Sequence, residues 1–219
     1  MRRLSAAADP RASVPCHDRH DSETIYVGTL RTVFAGHSVA IDSHRVRRQL
    51  AQTCARQLTR FLGGTTADRR LSRFASVRFG PTIAQARAGA RWFRCDVVAF
   101  ASDHALFPLP AHLQGALARA GALSTYGLCG TAAPGSAGFS RVICARRHSW
   151  RAIAALPIPG GSRYPGVRAV RRSEDAACRD RVHVRSGFAL RYQYGWEWPT
   201  REQWLDGQRY GYCWAPTAG

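Results

Sequence analysis

"PTIAQARAGARWFRC" (residues 81–95) and "PTREQWLDGQRYGYC" (residues 199–213) share Pro, Thr, Gln, Gly, Arg and Cys at the same offsets. The pattern P-T-x-x-Q-x-x-x-G-x-R-x-x-x-C is therefore written twice. Pro81 and Pro199 each precede a threonine that can open a short helical turn. Gly89 and Gly207 end that turn, and a strand follows that finishes in cysteine. Arg91 and Arg209 stand at the start of the two strands, "RWFRCDVVAF" and "RYGYCWA".

A second pair of matching segments lies upstream of each copy. "VPCHDRH" (residues 14–20) and "VICARRH" (residues 142–148) both read V-x-C-x-x-x-H, with His20 and His148 closing them. One further cysteine, Cys54 or Cys178, lies between the two markers in each half. The same features in the same order mark an internal duplication. The expected fold is α+β: two tandem repeats, each a small antiparallel sheet with one main helix, stabilised by disulfides. The expected boundaries are residues 14–101 for the first repeat, 102–123 for a linker with a short helix, and 124–216 for the second repeat.

The local signals agree. "ETIYVGTL" (23–30) and "WRAIAAL" (150–156) are rich in β-branched and aromatic residues and predict strands. "SHRVRRQLAQTCARQLTRFLGG" (43–64) starts on the capping residue Ser43 and stops at a Gly pair. Its Val46, Leu50, Cys54, Leu58 and Phe61 recur at helical spacing, which puts Cys54 on the buried stripe. "YPGVRAVRRSEDAACRDRV" (164–182) is the second-half counterpart, with Val167, Val170, Cys178 and Val182 facing inward. Pro108 and Pro110 break the chain in the linker.

The chain has seven cysteines. Repeat symmetry pairs Cys54 with Cys95 and Cys178 with Cys213. Cys129 in "YGLCG" and Cys144 fall on neighbouring strands of a hairpin joined by "TAAPGSAG", and Cys16 is left without a partner. Before Val14 the chain carries "AAADPRAS", which resembles the hairpin loop. On that reading Met1 opens inside the first hairpin, and upstream coding would supply the missing strand and cysteine, together with a signal or anchor. A bridge closing a loop of about forty residues contributes roughly 4 kcal/mol in the chain-entropy model. Such bonds belong to an oxidising compartment. Two other readings stay open at this point: zinc on the repeated C-x-x-x-H pairs, Cys16/His20 and Cys144/His148, and free buried thiols. Zinc sites ordinarily present two tight ligand pairs, and no second pair lies near either one in sequence, so no metal or other cofactor is expected.

The formal charge is +18, and every one of the 32 basic residues is Arg; Lys and Asn are absent. A protein shaped only for phosphate contact has no reason to avoid Lys, so part of the charge reflects GC-rich coding. No stretch reaches the roughly 18 apolar residues of a membrane span, and the N-terminal "MRRLSAAADPRAS" lacks the apolar core of a signal peptide.

These motifs carry a resemblance. V-x-C-x-x-x-H followed by a strand, Tyr164-Pro165-Gly166 before a central cysteine, and the closing P-T-x-x-Q-W-x-x-G-x-R-x-x-x-C resemble the septum formation family of actinobacteria, over nearly the whole chain. The resemblance implies an extracytoplasmic, often membrane-anchored protein linked to cell division or the envelope, with no established reaction. The chain departs from the family pattern in places. Arg19 and Arg147 stand where the family has Pro before the His. Arg151 replaces the acidic residue that Glu23 supplies in the first copy, and Ala86 stands opposite Trp204.

A Cys/His pair invites a nucleophile reading, but the pair recurs and Cys144 is expected to be bridged. His20 and His148 are therefore read as structural, each ring bonded to backbone. The acidic group Asp18, Asp21 and Glu23 near His20 is read as solvated surface. No G-x-S-x-G, Walker, H-E-x-x-H or G-x-G-x-x-G motif is present. The aromatic run "RYQYGWEWPTREQW" (191–204) alternates Tyr192, Tyr194, Trp196 and Trp198 on one face of a strand. That face either packs on the core or, if exposed, stacks on sugars or bases. The function read from these features is non-catalytic: binding or scaffolding at the cell wall or division septum, with an envelope polymer or an envelope protein as partner and membrane contact only through an upstream anchor. The alternative is a basic cytosolic nucleic-acid-binding protein, with or without zinc.

Overall fold

A computed structural model describes residues 14–109 and 111–217. The loop read over residues 6–13 and the break at Pro110 lie outside them. In chain order the elements begin β1 (Glu23–Thr29), β2 (Val33–Phe34), β3 (His37–Ser38), α1 (His44–Leu62), α2 (Thr66–Arg70) and β4 (Phe74–Phe79). Next come α3 (Ile83–Arg87), β5 (Trp92–Ser102), β6 (Ala105–Phe107), a 3-10 turn (Ala116–Ala118), α4 (Ala122–Tyr126), β7 (Leu128–Gly130) and β8 (Arg141–Ile143). The chain ends with β9 (Trp150–Pro157), α5 (Val167–Ser173), α6 (Asp175–Arg185), β10 (Gly195–Glu197), α7 (Arg201–Leu205) and β11 (Tyr210–Pro216). The architecture is α+β with antiparallel strand pairing. The described residues divide into two compact units. One takes the chain up to Gly64 with Phe74–Phe100 and His104–Ala120; the other takes Thr65–Arg73, Ala101–Asp103 and the chain from Gly121.

In the first unit β5 is flanked by β1 and β4, so Cys95 lies opposite Tyr26 on one side and Arg78 on the other. The helix α1 packs on these strands through Val46 and Cys54, which join Leu30, Phe93 and Cys95 in one sealed cluster. Ser43 caps α1 by accepting the Val46 N–H, and Gly63 ends it at φ +67°. Gly64 follows at φ +68°, where an added Cβ would sit 2.9 Å from the Leu117 side chain, so both conformation and space demand glycine there. The buried stripe runs through Val46, Cys54 and Leu62, while Leu58 and Phe61 are only half-buried.

In the second unit the strand order is β8–β7–β9–β11–β10. β11 is covered on both faces, because successive side chains of a strand point opposite ways. Cys213 joins Val170, Cys178, Val182, Trp196 and Trp204 on one side. Tyr212 and Trp214 join Leu71, Leu128 and Trp150 on the other. Leu71 belongs to the segment after α2, whose Arg70 also lies over the Tyr210 ring at 4.3 Å. The single main helix expected here is two helices: the chain leaves helical geometry at Glu174, with φ −125°, between α5 and α6. Val167, expected on the buried face, is the first residue of α5 and is 59% exposed.

The two copies of the opening motif make the same local structure. The hydroxyls of Thr82 and Thr200 each accept the N–H of the Gln three residues on, at 3.2 Å, and that Gln's Oε1 accepts the threonine N–H in return. These are capping boxes, which satisfy helix N–H groups otherwise left unpaired. Pro81 and Pro199, just ahead of the caps, are both buried. Gly89 and Gly207 take φ +97° and +100° with open space around the missing Cβ, so it is backbone conformation that selects glycine. The carbonyls of Arg91 and Arg209 accept the N–H of Leu30 and Ile158, the residues that follow β1 and β9. Their side chains differ. The Arg91 guanidinium donates to the Ala86 and Ala90 carbonyls, whereas Arg209 lies over the Trp204 ring at 4.4 Å.

Disulfides join Cys54 to Cys95, Cys129 to Cys144 and Cys178 to Cys213, and Cys16 is free. Replacing Cys178 and Cys213 together by Ala opens a loop of sequence separation 35 and should cost roughly 3–4 kcal/mol of unfolding free energy. Trp204→Ala empties a site with 0% exposure and should cost about 3–5 kcal/mol. Urea unfolding followed by circular dichroism checks both values.

Candidate functional site: two cysteine–histidine clusters and an arginine-lined cleft

In the first unit the V-x-C-x-x-x-H segment leads into β1. His20 is buried; its backbone exchanges two hydrogen bonds with Leu109, and its Nδ1–H donates to the Asp18 carbonyl at 2.7 Å. That bond fixes the tautomer. Glu23, the first residue of β1, is 5% exposed. Its Oε2 accepts the Leu113 N–H at 2.9 Å, and its Oε1 lies 2.7 Å from His112 Nδ1. The Cys16 sulfur, a Glu23 oxygen and a His112 ring nitrogen all lie within 4.8 Å of one another. Burial, reinforced by the Glu23 charge, pushes the Cys16 thiol up, the opposite of the lowered thiol that nucleophilic cysteines show. The reading of the acidic group as solvated surface is corrected here. Asp18 and Asp21 are exposed, but Glu23 is enclosed because it occupies an inward position of β1. A charged residue at an inward phase of a strand was the available signal; His112 had none, since it lies 89 residues away.

A second buried carboxylate, Asp96, also went unread. It sits on β5 at 1% exposure, pairs with Arg94 Nε at 2.9 Å and accepts the Thr24 hydroxyl at 3.0 Å. Burial outweighs these partners and pushes its carboxyl up.

In the second unit the corresponding histidine, His148, donates its Nδ1–H to the Arg146 carbonyl at 2.7 Å. It also lies within 4.8 Å of the sulfurs of Cys129 and Cys144. Those sulfurs are bonded to each other, from Cys129 on β7 to Cys144 just after β8, so the cluster is a covalent clip beside a backbone-anchored ring.

The aromatic run does not form an open stacking face. Only Gly195–Glu197 is strand, and the rings turn inward onto α5 and α6. Trp196 is buried and donates its indole N–H to the Val170 carbonyl at 3.2 Å. The Tyr194 hydroxyl donates to Asp175, and the Arg171 guanidinium lies over Trp198. Tyr192 stacks on His183 with ring centroids 4.8 Å apart and planes at 10°.

Tyr192 also lines a cleft of about 570 Å³ with Arg185, Ser186, Arg191 and Gln193. Arg151 on β9 lies opposite Ala215, another residue of the cleft wall. Burial and the nearby Arg185 charge hold the Arg151 guanidinium below its ordinary range. By contrast, Arg141 on β8 is neutralised by Glu197 at 2.7 Å. Arg151, Arg185 and Arg191 make no ion pair among the described residues. The cleft therefore gathers uncompensated positive charge beside a tyrosine ring, a hydroxyl and an amide.

Comparison with curated proteins and with solved structures finds no match. A family model described as septum formation matches residues 3–213. That span takes in both V-x-C-x-x-x-H segments, both closing motifs and all seven cysteines, and the chain belongs to the septum formation family.

Proposed function

We propose that this protein is a non-catalytic binding protein of the cell envelope, working outside the cytoplasmic membrane at the wall or division septum. Family membership supports the link to septum formation. Three disulfides support the compartment, because such bonds are reduced in an ordinary cytosol. No helix among the described residues is long and apolar enough to cross a membrane. We also infer that the chain is built from two related copies. The capping boxes, the left-handed glycines and the helix-to-strand disulfides recur in matching order and support this.

The observation that carries the binding reading is the cleft of the second unit. Guanidinium groups without counter-charges bind carboxylates and phosphates through paired N–H donors. An aromatic face with adjacent hydrogen-bonding groups accommodates a sugar ring. The ligand class is therefore an acidic saccharide polymer, bearing carboxylate or phosphate. Retention on purified acidic wall polymer should fall steeply as salt rises. The double variant Arg185→Ala/Arg191→Ala should bind at least about tenfold more weakly, a loss of roughly 1.4 kcal/mol. Tyr192→Ala should weaken binding with little change in salt dependence. Co-sedimentation across a salt series measures all three; unchanged binding by the arginine variant defeats the reading.

A further inference from the structure

The Cys16–Glu23–His112 cluster takes no part in the disulfides or the cleft, and it is built from three separate stretches of the first unit. We propose that Cys16, Glu23 and His112 form a site for one divalent transition-metal ion, with zinc the best chemical fit.

The donor set is the first argument. A thiolate, a carboxylate and an imidazole are the three ligand types that zinc accepts, and a mixed set of three leaves a fourth position for water or a partner's donor. Hard cations such as Mg²⁺ and Ca²⁺ prefer all-oxygen sites.

Positioning is the second. Glu23 is held on one side by the Leu113 N–H bond to Oε2, which leaves Oε1 directed at His112. The paired backbone bonds between His20 and Leu109 tie the two segments together just beside the cluster. A zinc ion bonded at about 2.3 Å to sulfur and about 2.1 Å to nitrogen and oxygen holds its ligands roughly 3.5 Å apart. The three donor atoms already lie within 4.8 Å of one another, so closure needs side-chain shifts of about an ångström. The His112 side chain is 68% exposed and free to make them.

Charge is the third. Glu23 is a carboxylate at 5% exposure, and no arginine pairs with it among the described residues. A buried carboxylate needs a cation or strong hydrogen bonds to offset its lost hydration, and a dication at this position supplies that charge. The cluster in the second unit makes the contrast. There the sulfurs are spent on each other and His148 has no carboxylate among its neighbours in the cluster, so the chelating set exists only around Cys16.

Co²⁺ is the probe. The full chain, with its disulfides intact and stripped of metal by a chelator without any reductant, is titrated with Co²⁺. One equivalent should bind, producing the near-ultraviolet thiolate-to-cobalt charge-transfer band, and Zn²⁺ should then abolish the band. Cys16→Ser should remove the band. His112→Ala replaces an exposed side chain and so tests the site without threatening the fold; it should weaken Co²⁺ binding about tenfold or more, as should Glu23→Gln. Circular dichroism confirms that each variant is folded. Absence of the band in the wild-type chain overturns the proposal. A band of unchanged affinity in folded His112→Ala and Glu23→Gln also overturns it, since it would mean adventitious binding to a bare thiol.

Discussion

A covalent bond between a helix and the strand that follows a capped turn is the constraint on which each unit is built. Cys54 on α1 meets Cys95 on β5, and Cys178 on α6 meets Cys213 on β11. All four are fully enclosed. Small units bury a modest fraction of their chain's surface, and a cross-link that restricts the unfolded ensemble offsets part of that deficit. The motif ahead of each cysteine serves the same end. Its threonine and glutamine close the turn, its glycine reverses the backbone, and the strand then enters in register with the cysteine beneath the helix. A recurring set of residues that looks on the page like an active-site signature is a device for fold closure.

Much of the fold was legible because its determinants are local or repeated. The limits of α1 follow from Ser43 and Gly63, and the two closing turns follow from Thr, Gln and Gly at fixed spacing. The disulfide partners follow from the order of cysteines in the two halves. What was missed has long-range causes. The break at Glu174 carries neither Gly nor Pro, so the pattern from Val167 to Val182 read as one helix. The assignment of residues 65–73 to the second unit rests on Leu71 packing with Leu128 and Trp214. The alternation of Tyr192, Tyr194, Trp196 and Trp198 is real, but only three residues there become strand. The rings instead satisfy their polar edges on α5 and α6, at Val170 and Asp175. Glu23 and His112 meet only through the fold.

The arginine excess divides by role. Arg94 and Arg209 lie over aromatic rings at 4.4 Å, and Arg141 answers Glu197. Arg73 reaches Asp103 at 3.1 Å. These guanidiniums are packing and pairing groups, and counting them toward a uniform basic surface overstates the field they produce. Arg185 and Arg191 are different, because they line one cleft without counter-charges, and Arg151 stands opposite its wall residue Ala215. Net charge of +18 thus says little by itself; the position of the unpaired cations says where an anion would dock.

Closure of the fold rests on three specific disulfides. Its most direct test is to alkylate the protein as isolated, digest it without reduction, and map cysteines by mass spectrometry. Cross-linked peptides should join Cys54 to Cys95, Cys129 to Cys144 and Cys178 to Cys213, with Cys16 in none of the three. Seven alkylated cysteines, or cross-links in any other pairing of those six, would contradict it.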